Sequence, residues 1–206
     1  PDELNMEPAD LEAKLRAIPE YKTAFEAVFP DGLTFLNLAK AIAAFERTLV
    51  SSNSAWDRFR EGDQNALSPA ALRGMRLFFG ERGDCFHCHG GQDFTDNSLR
   101  NNALSTVYTD IGLARLTDKD EDVGKFKVPT LRNVELTGPY MHDGSIKTLH
   151  DVVKHYNNGG AANLNADPLM RPLGLSEAEV DDIVEFLKAL TDRDFTKDPR
   201  FGPPKP

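Results

Sequence analysis

The sequence predicts an all-α chain, and three observations carry that reading. Apolar residues recur at helical spacing in several separate segments. Helix-start signals stand in front of two of them. Runs of alternating apolar and polar residues, which would mark strands, are almost lacking. The 206 residues suffice for one domain or two small ones. An apolar fraction of 40% and a charged fraction of 28% are ordinary for a globular protein. The net charge of -9 argues against nucleic-acid binding, which needs a basic footprint. No apolar run approaches the roughly 20 residues of a membrane helix. The chain opens on Pro1-Asp2-Glu3-Leu4 with no leader, which reads as a processed start.

Residues 9–17 and 20–29 read as two short helices around Pro19. After the turn signal Pro30-Asp31-Gly32, a clearer helix carries Phe35, Leu38, Ala39, Ile42, Phe45 and Leu49 at helical spacing. Residues 51–67 read as a loop with a short helical piece. Ser68 looks like an N-cap with Pro69 at the first helical position, and Leu72, Met75, Arg76 and Phe79 fall on one side of that helix. Residues 90–146 are rich in Asn, Asp, Gly and Thr and show no period. So long an irregular stretch is unusual in a compact domain, and a bound cofactor gives it something to wrap. Residues 147–156 form a helix through Leu149, Val152, Val153 and Tyr156. The last helix opens on the capping box Ser176-Glu177-Ala178-Glu179 and buries Val180, Ile183, Val184, Leu187 and Leu190. From Asp192 the chain is charged and Pro-rich, an expected extended arm over 192–206.

The two cysteines of the chain sit in Cys85-Phe86-His87-Cys88-His89. This C-x-x-C-H pattern is that of c-type haem attachment. Two thiols three positions apart on a turn reach the two vinyl groups of one haem, and the adjacent imidazole ligates its iron. A zinc site would need about four ligands, and no second cysteine pair exists. A thioredoxin-like dithiol would follow a strand in a βαβ unit, which this chain lacks. His87 is expected beside the haem edge. For the sixth iron position the distant candidates are Met141, His142, His150, His155, Tyr156 and Met170. Tyr156 lies on the apolar face of its helix, where an aromatic is usually core. Met170 lies in an irregular stretch and could reach a haem. Arg132 could pair bidentately with a haem propionate. Trp56 and Tyr108 could relay electrons, although core packing suits each better.

Two longer stretches, Asn37 to Val50 (NLAKAIAAFERTLV) and Phe126 to Ser145 (FKVPTLRNVELTGPYMHDGS), flank the haem motif. With it, they resemble the bacterial di-haem cytochrome c peroxidase family, MauG included, over nearly the whole chain. The resemblance implies a cytochrome c-like haem domain at 67–191, preceded by linking helices at 1–66. It is the second half of a family member that is matched. The first half, a haem domain where peroxide binds, lies outside these residues. The family's catalytic acid lies there too, so no general acid or base is assigned.

In the peroxidases a methionine ligates the second haem. That position falls fourteen residues after His142, on Tyr156. The MauG branch has His and Tyr ligands, so the resemblance implies His89 and Tyr156. A phenolate, the ligand of catalase, favours oxidised iron. The family also binds calcium between its haem domains, through backbone carbonyls that match Thr137 and Pro139 here. Hard oxygen donors suit that ion. The implied function is a periplasmic peroxidase-type oxidoreductase whose haem on this chain relays or stores oxidising equivalents. Its implied partners are hydrogen peroxide and a redox protein: a small cytochrome, a cupredoxin or a protein substrate. The rival expectation is a stand-alone mono-haem electron carrier.

Overall fold

A computed structural model describes residues 6–202. It contains eight α-helices: α1 (Pro8–Arg16), α2 (Pro19–Val28), α3 (Phe35–Glu46), α4 (Ala55–Arg60), α5 (Pro69–Phe78), α6 (Ala114–Thr117), α7 (Leu149–Asn157) and α8 (Glu177–Lys188). Two-residue strands β1 (Leu99–Arg100) and β2 (Phe126–Lys127) pair antiparallel, with Leu99 opposite Lys127. The chain divides into two compact units. One runs to Val50 and takes in the residues from Phe201, and the other spans Ser51–Arg200.

Within the first unit, prolines open α1 and α2 at their first positions, where a missing N–H costs nothing. Thr34 caps α3 by accepting from the Asn37 N–H at 3.1 Å. The Arg16 guanidinium donates to the Leu33 carbonyl at 2.6 Å, and Glu12 accepts from the Phe35 N–H at 2.7 Å. Leu33 and Asn37 are buried, but Phe35, Leu36, Ile42 and Phe45 are exposed.

The second unit is built on the crossing of α5 and α8. Ser68 caps α5 through the Ala71 N–H, and Ser176 and Glu179 complete the capping box of α8. Val180, Ile183, Val184, Leu187 and Leu190 are buried, as their spacing predicts. The buried face of α5 is instead Ala71, Gly74 and Phe78, one position round from the predicted Leu72, Met75, Arg76 and Phe79. Gly74 explains the rotation. A Cβ there would stand 1.9 Å from the Asp182 carbonyl oxygen, so only glycine lets the two backbones meet. Arg73 then clamps Asp182 with two hydrogen bonds of 2.6 and 2.7 Å.

An aromatic cluster fills the space beside this crossing. Trp56 lies 5.5 Å from both Phe79 and Phe186, and 6.0 Å from Phe94. Trp56 is thus a packing residue in this structure. The predicted boundary at 66/67 falls inside this unit, because residues 51–66 pack with it. Trp56 joins the cluster, and Ser52 and Asn53 donate backbone N–H groups to the Asp192 carboxylate. The same carboxylate accepts from the Phe195 N–H. That hold turns the expected extended arm into two short 3-10 turns, Phe195–Lys197 and Pro199–Phe201. Residues 203–206 of the predicted arm lie outside the described residues.

Candidate haem site

The cysteine motif sits just beyond the C-terminus of α5. Asp84 adopts a left-handed conformation (φ 58°), and Cys85–His87 form one 3-10 turn. Gly83 is required before it: a Cβ would meet the Leu77 carbonyl oxygen at 2.3 Å. The turn presents both thiols and His89 together. Cys85 and Phe86 are half-buried and pack against the hydrophobic core of this unit. Both cysteines are free thiols. Burial, helped by the Asp84 charge, pushes the Cys85 thiol up to about 12, and burial raises Cys88 as well. Such thiols are poor dithiol redox catalysts, which need a depressed value. Among the described residues, no group of three His, Cys, Asp or Glu side chains could hold a metal ion, so a zinc site has no ligand set.

His89 is oriented for a metal. Its Nδ1–H donates to the Phe94 carbonyl at 3.0 Å, which leaves Nε2 as the outward donor atom. Phe94 is fully buried and left-handed (φ 52°), so this carbonyl is fixed by the core. Burial lowers the imidazole's affinity for protons and favours the neutral, ligating form. The donor set therefore fits a c-type haem: two thiols on one turn, a neutral oriented imidazole and an apolar surround.

Tyr156 lies in the last turn of α7. Burial raises its hydroxyl above the usual tyrosine value, and charge on Cys88 or Cys85 would raise it further. Its oxygen accepts from the Asn102 side-chain amide at 3.4 Å. Met141 comes to the same amide: its sulfur accepts from Asn102 at 3.2 Å. The side chains of the three histidine candidates have partners of their own. His142 is stacked on Phe126, with ring centroids 3.7 Å apart. His150 faces Glu177 and Asp181 at 3.5 Å each. His155 donates to the Asn102 carbonyl at 2.9 Å. Met170 follows Asp167 in a turn, with its N–H donating to the Asp167 carbonyl.

Arg132 has a partner within the chain. It grips Asp57 with two hydrogen bonds of 2.9 and 3.0 Å and donates through Nε to the Gln92 carbonyl. The guanidinium expected at a propionate thus ties α4 to the loop after the motif. Tyr108 is buried and donates to Asn101 at 2.8 Å. Thr137 follows a 3-10 turn, and the Gly138–Pro139 peptide is cis.

Two polar clamps around the motif have no sequence signature. Asp84 accepts from His87 and from Arg171, the latter at 3.2 Å. Arg100 joins Asp96 and Asp167 at 2.9 and 2.8 Å. Asp84 could have been suspected, because it stands between Gly83 and Cys85 and aspartate tolerates the left-handed region. Nothing in the sequence singles out Asn102.

Residues 1–65 match the family described as di-haem cytochrome c peroxidase, and residues 71–191 match cytochrome c. The chain is 35% identical to a cytochrome-c peroxidase, IdrP1, of Pseudomonas sp. (strain SCT), covering 91% of this chain and 58% of that protein. It is 36% identical to the methylamine utilization protein MauG of Methylorubrum extorquens, over 92% of this chain and 54% of that one. A solved MauG-like protein associated with microbial copper homeostasis superposes with a TM-score of 0.87 at 33% identity, covering 95% of this chain and 65% of that one. The chain thus spans a little over half the length of the curated relatives it matches.

Proposed function

The chain belongs to the di-haem cytochrome c peroxidase family, and from that premise we propose that it carries the His/Tyr-ligated c-type haem of a peroxidase- or MauG-type oxidoreductase. The reading is supported by His89, which the Phe94 carbonyl holds with Nε2 left as its donor atom, on the same short segment as the thiols of Cys85 and Cys88. Bound haem supplies a one-electron couple. The residues of this chain set its character. Cys85 and Cys88 would hold the ring by thioether bonds, and the Phe94 carbonyl keeps His89 in the tautomer that could ligate its iron. As a phenolate, Tyr156 would be a hard anionic donor to a bound haem iron and would favour its ferric state over the ferrous. Phe86, Leu131 and Leu173 pack against the hydrophobic core of this unit.

In this reading the oxidant is hydrogen peroxide, cleaved at a second haem in a preceding domain, and this chain relays or holds the oxidising equivalents. The electrons come from a small cytochrome, a cupredoxin or side chains of a protein substrate. The protein acts in the periplasm. No helix among the described residues is long and apolar enough to cross a membrane. Calcium at the Thr137 and Pro139 carbonyls belongs to the same proposal. The single C-x-x-C-H motif favours the second reading, a mono-haem electron carrier.

Mass and haem content of the protein purified from its native gene separate the two. Two haems on a chain much longer than 206 residues are expected. One haem on a chain of this length would make it a carrier and remove the peroxide chemistry. Tyr156→Phe is expected to abolish the tyrosinate-to-iron charge-transfer band of the ferric protein. An unchanged low-spin spectrum would refute the ligand assignment.

A further inference from the structure

Asn102 stands between Tyr156 and Met141, two of the candidates for the sixth position of an iron. Its side-chain nitrogen donates one hydrogen toward the Tyr156 oxygen (3.4 Å) and one toward the Met141 sulfur (3.2 Å). An amide NH2 has two donors and no more, so these two contacts use it fully.

The backbone around Asn102 is held by independent anchors. Its carbonyl accepts from His155 Nε2 at 2.9 Å, and His155 is the neighbour of Tyr156 on α7. Ala103, the next residue, accepts from the Ala161 N–H at 2.7 Å, just beyond the same helix. Asn101 braces the turn from inside by accepting from the Ala103 N–H at 2.8 Å. Gly160 makes the approach possible, because a Cβ there would lie 2.6 Å from Ala103 Cβ. Ala103 and Met141 both hold left-handed conformations (φ 53° and 72°), which disfavour residues with a Cβ. Backbone cost of this kind, of order 1–3 kcal/mol per residue, persists where surrounding structure imposes it. Here it aims one amide at one phenol.

We propose that Asn102 is the positioning residue of the sixth ligand: its amide donates a hydrogen bond to the Tyr156 oxygen and sets how strongly that oxygen donates to iron. The proposal rests on the reading of Tyr156 as ligand. The Met141 sulfur is the second acceptor that keeps the amide in this orientation. A hydrogen bond to a phenolate draws density from its oxygen. Without it the phenolate is a stronger donor, and the ferric state is favoured further.

The test uses the haem-loaded protein expressed from the full gene. Asn102→Leu keeps the size and removes both donors. Expected are a charge-transfer band moved to longer wavelength and a lowered ferric/ferrous potential, with the haem still low-spin. If Asn102→Leu does not incorporate haem, Asn102→Asp, which keeps the shape and loses the N–H groups, must give the same two shifts. Tyr156→Phe separates the possible failures. If it removes the band while the Asn102 variants leave band and potential unchanged, Tyr156 remains the ligand and the role of Asn102 is overturned. If Tyr156→Phe changes nothing, the ligand reading fails and the proposal falls with it.

Discussion

Helices α3 and α8 are both twelve residues long, and both repeat apolar residues at helical spacing. Their fates differ. In α8 six residues are buried, among them Ile183 and Phe186. In α3 the one buried residue is the polar Asn37, while Leu36 is 63% exposed and Ile42 50%. Yet α3 is the more apolar by composition. Periodicity states which face of a helix is apolar. It does not state what covers that face. α8 finds its cover within the chain because Gly74 lets α5 approach it to backbone contact. Among the described residues of its own unit, no such close crossing serves α3.

The largest effects should therefore fall on the α5–α8 crossing. Phe186→Ala is expected to cost about 3–5 kcal/mol, the range for emptying a buried aromatic site. Gly74→Ala is expected to cost about 3 kcal/mol or more, because its methyl would overlap the Asp182 backbone and force the helices apart. Urea unfolding of the haem-loaded protein measures both. Losses under about 1 kcal/mol would show that the crossing is not the core of this unit.

An intermediate effect is expected at Asp57. It caps α4 and pairs with Arg132, and both side chains are largely shielded from water. Asp57→Ala would leave the guanidinium without its partner and the helix without its capping box. A cost of about 2–4 kcal/mol follows. Burial works to raise the Asp57 carboxyl, but hydrogen bonds from Arg132 and Ser54 outweigh it and hold the group below its usual value. A depressed native value means that the stabilisation is present above about pH 3.9, the unfolded value. It is lost as pH falls through the native value. The stability gap between wild type and Asp57→Asn should therefore close in acid. A gap that persists unchanged at pH 2 would mean that the carboxylate charge contributes nothing.

The smallest effect is expected at Ile42. Half-exposed in this chain, Ile42→Ser should change stability by no more than about 0.5 kcal/mol. A loss of 2 kcal/mol would mean that α3 is covered in solution and would erase the contrast with α8.

The same contrast shows what could be read from the sequence. Helix starts were legible at Ser68 and Ser176, because a capping residue acts on its own next turn. The haem motif was legible because its chemistry lies within five consecutive residues. The face of α5 was misjudged by one position, since counting apolar residues overlooks that a glycine can be the closest contact of all. The arm after Asp192 was expected to be extended because its composition hid the three backbone N–H groups that one carboxylate gathers. The partner of Arg132 lay seventy-five residues away and could not be counted out. Asn102 was invisible for a related reason. Its neighbours Met141 and Tyr156 come from separate segments, and only the folded turn brings them to one amide.

The clamps on the haem motif also carry an order in time. Asp84 waits for Arg171, eighty-seven residues further along, and Arg100 for Asp167, sixty-seven residues further. A chain made from its amino end therefore offers Cys85 and Cys88 well before it can tie them down. The clamps therefore depend on residues made later than the motif they hold. The long reach of these ion pairs means that the motif is clamped only once the segment around Asp167 and Arg171 has folded back on it.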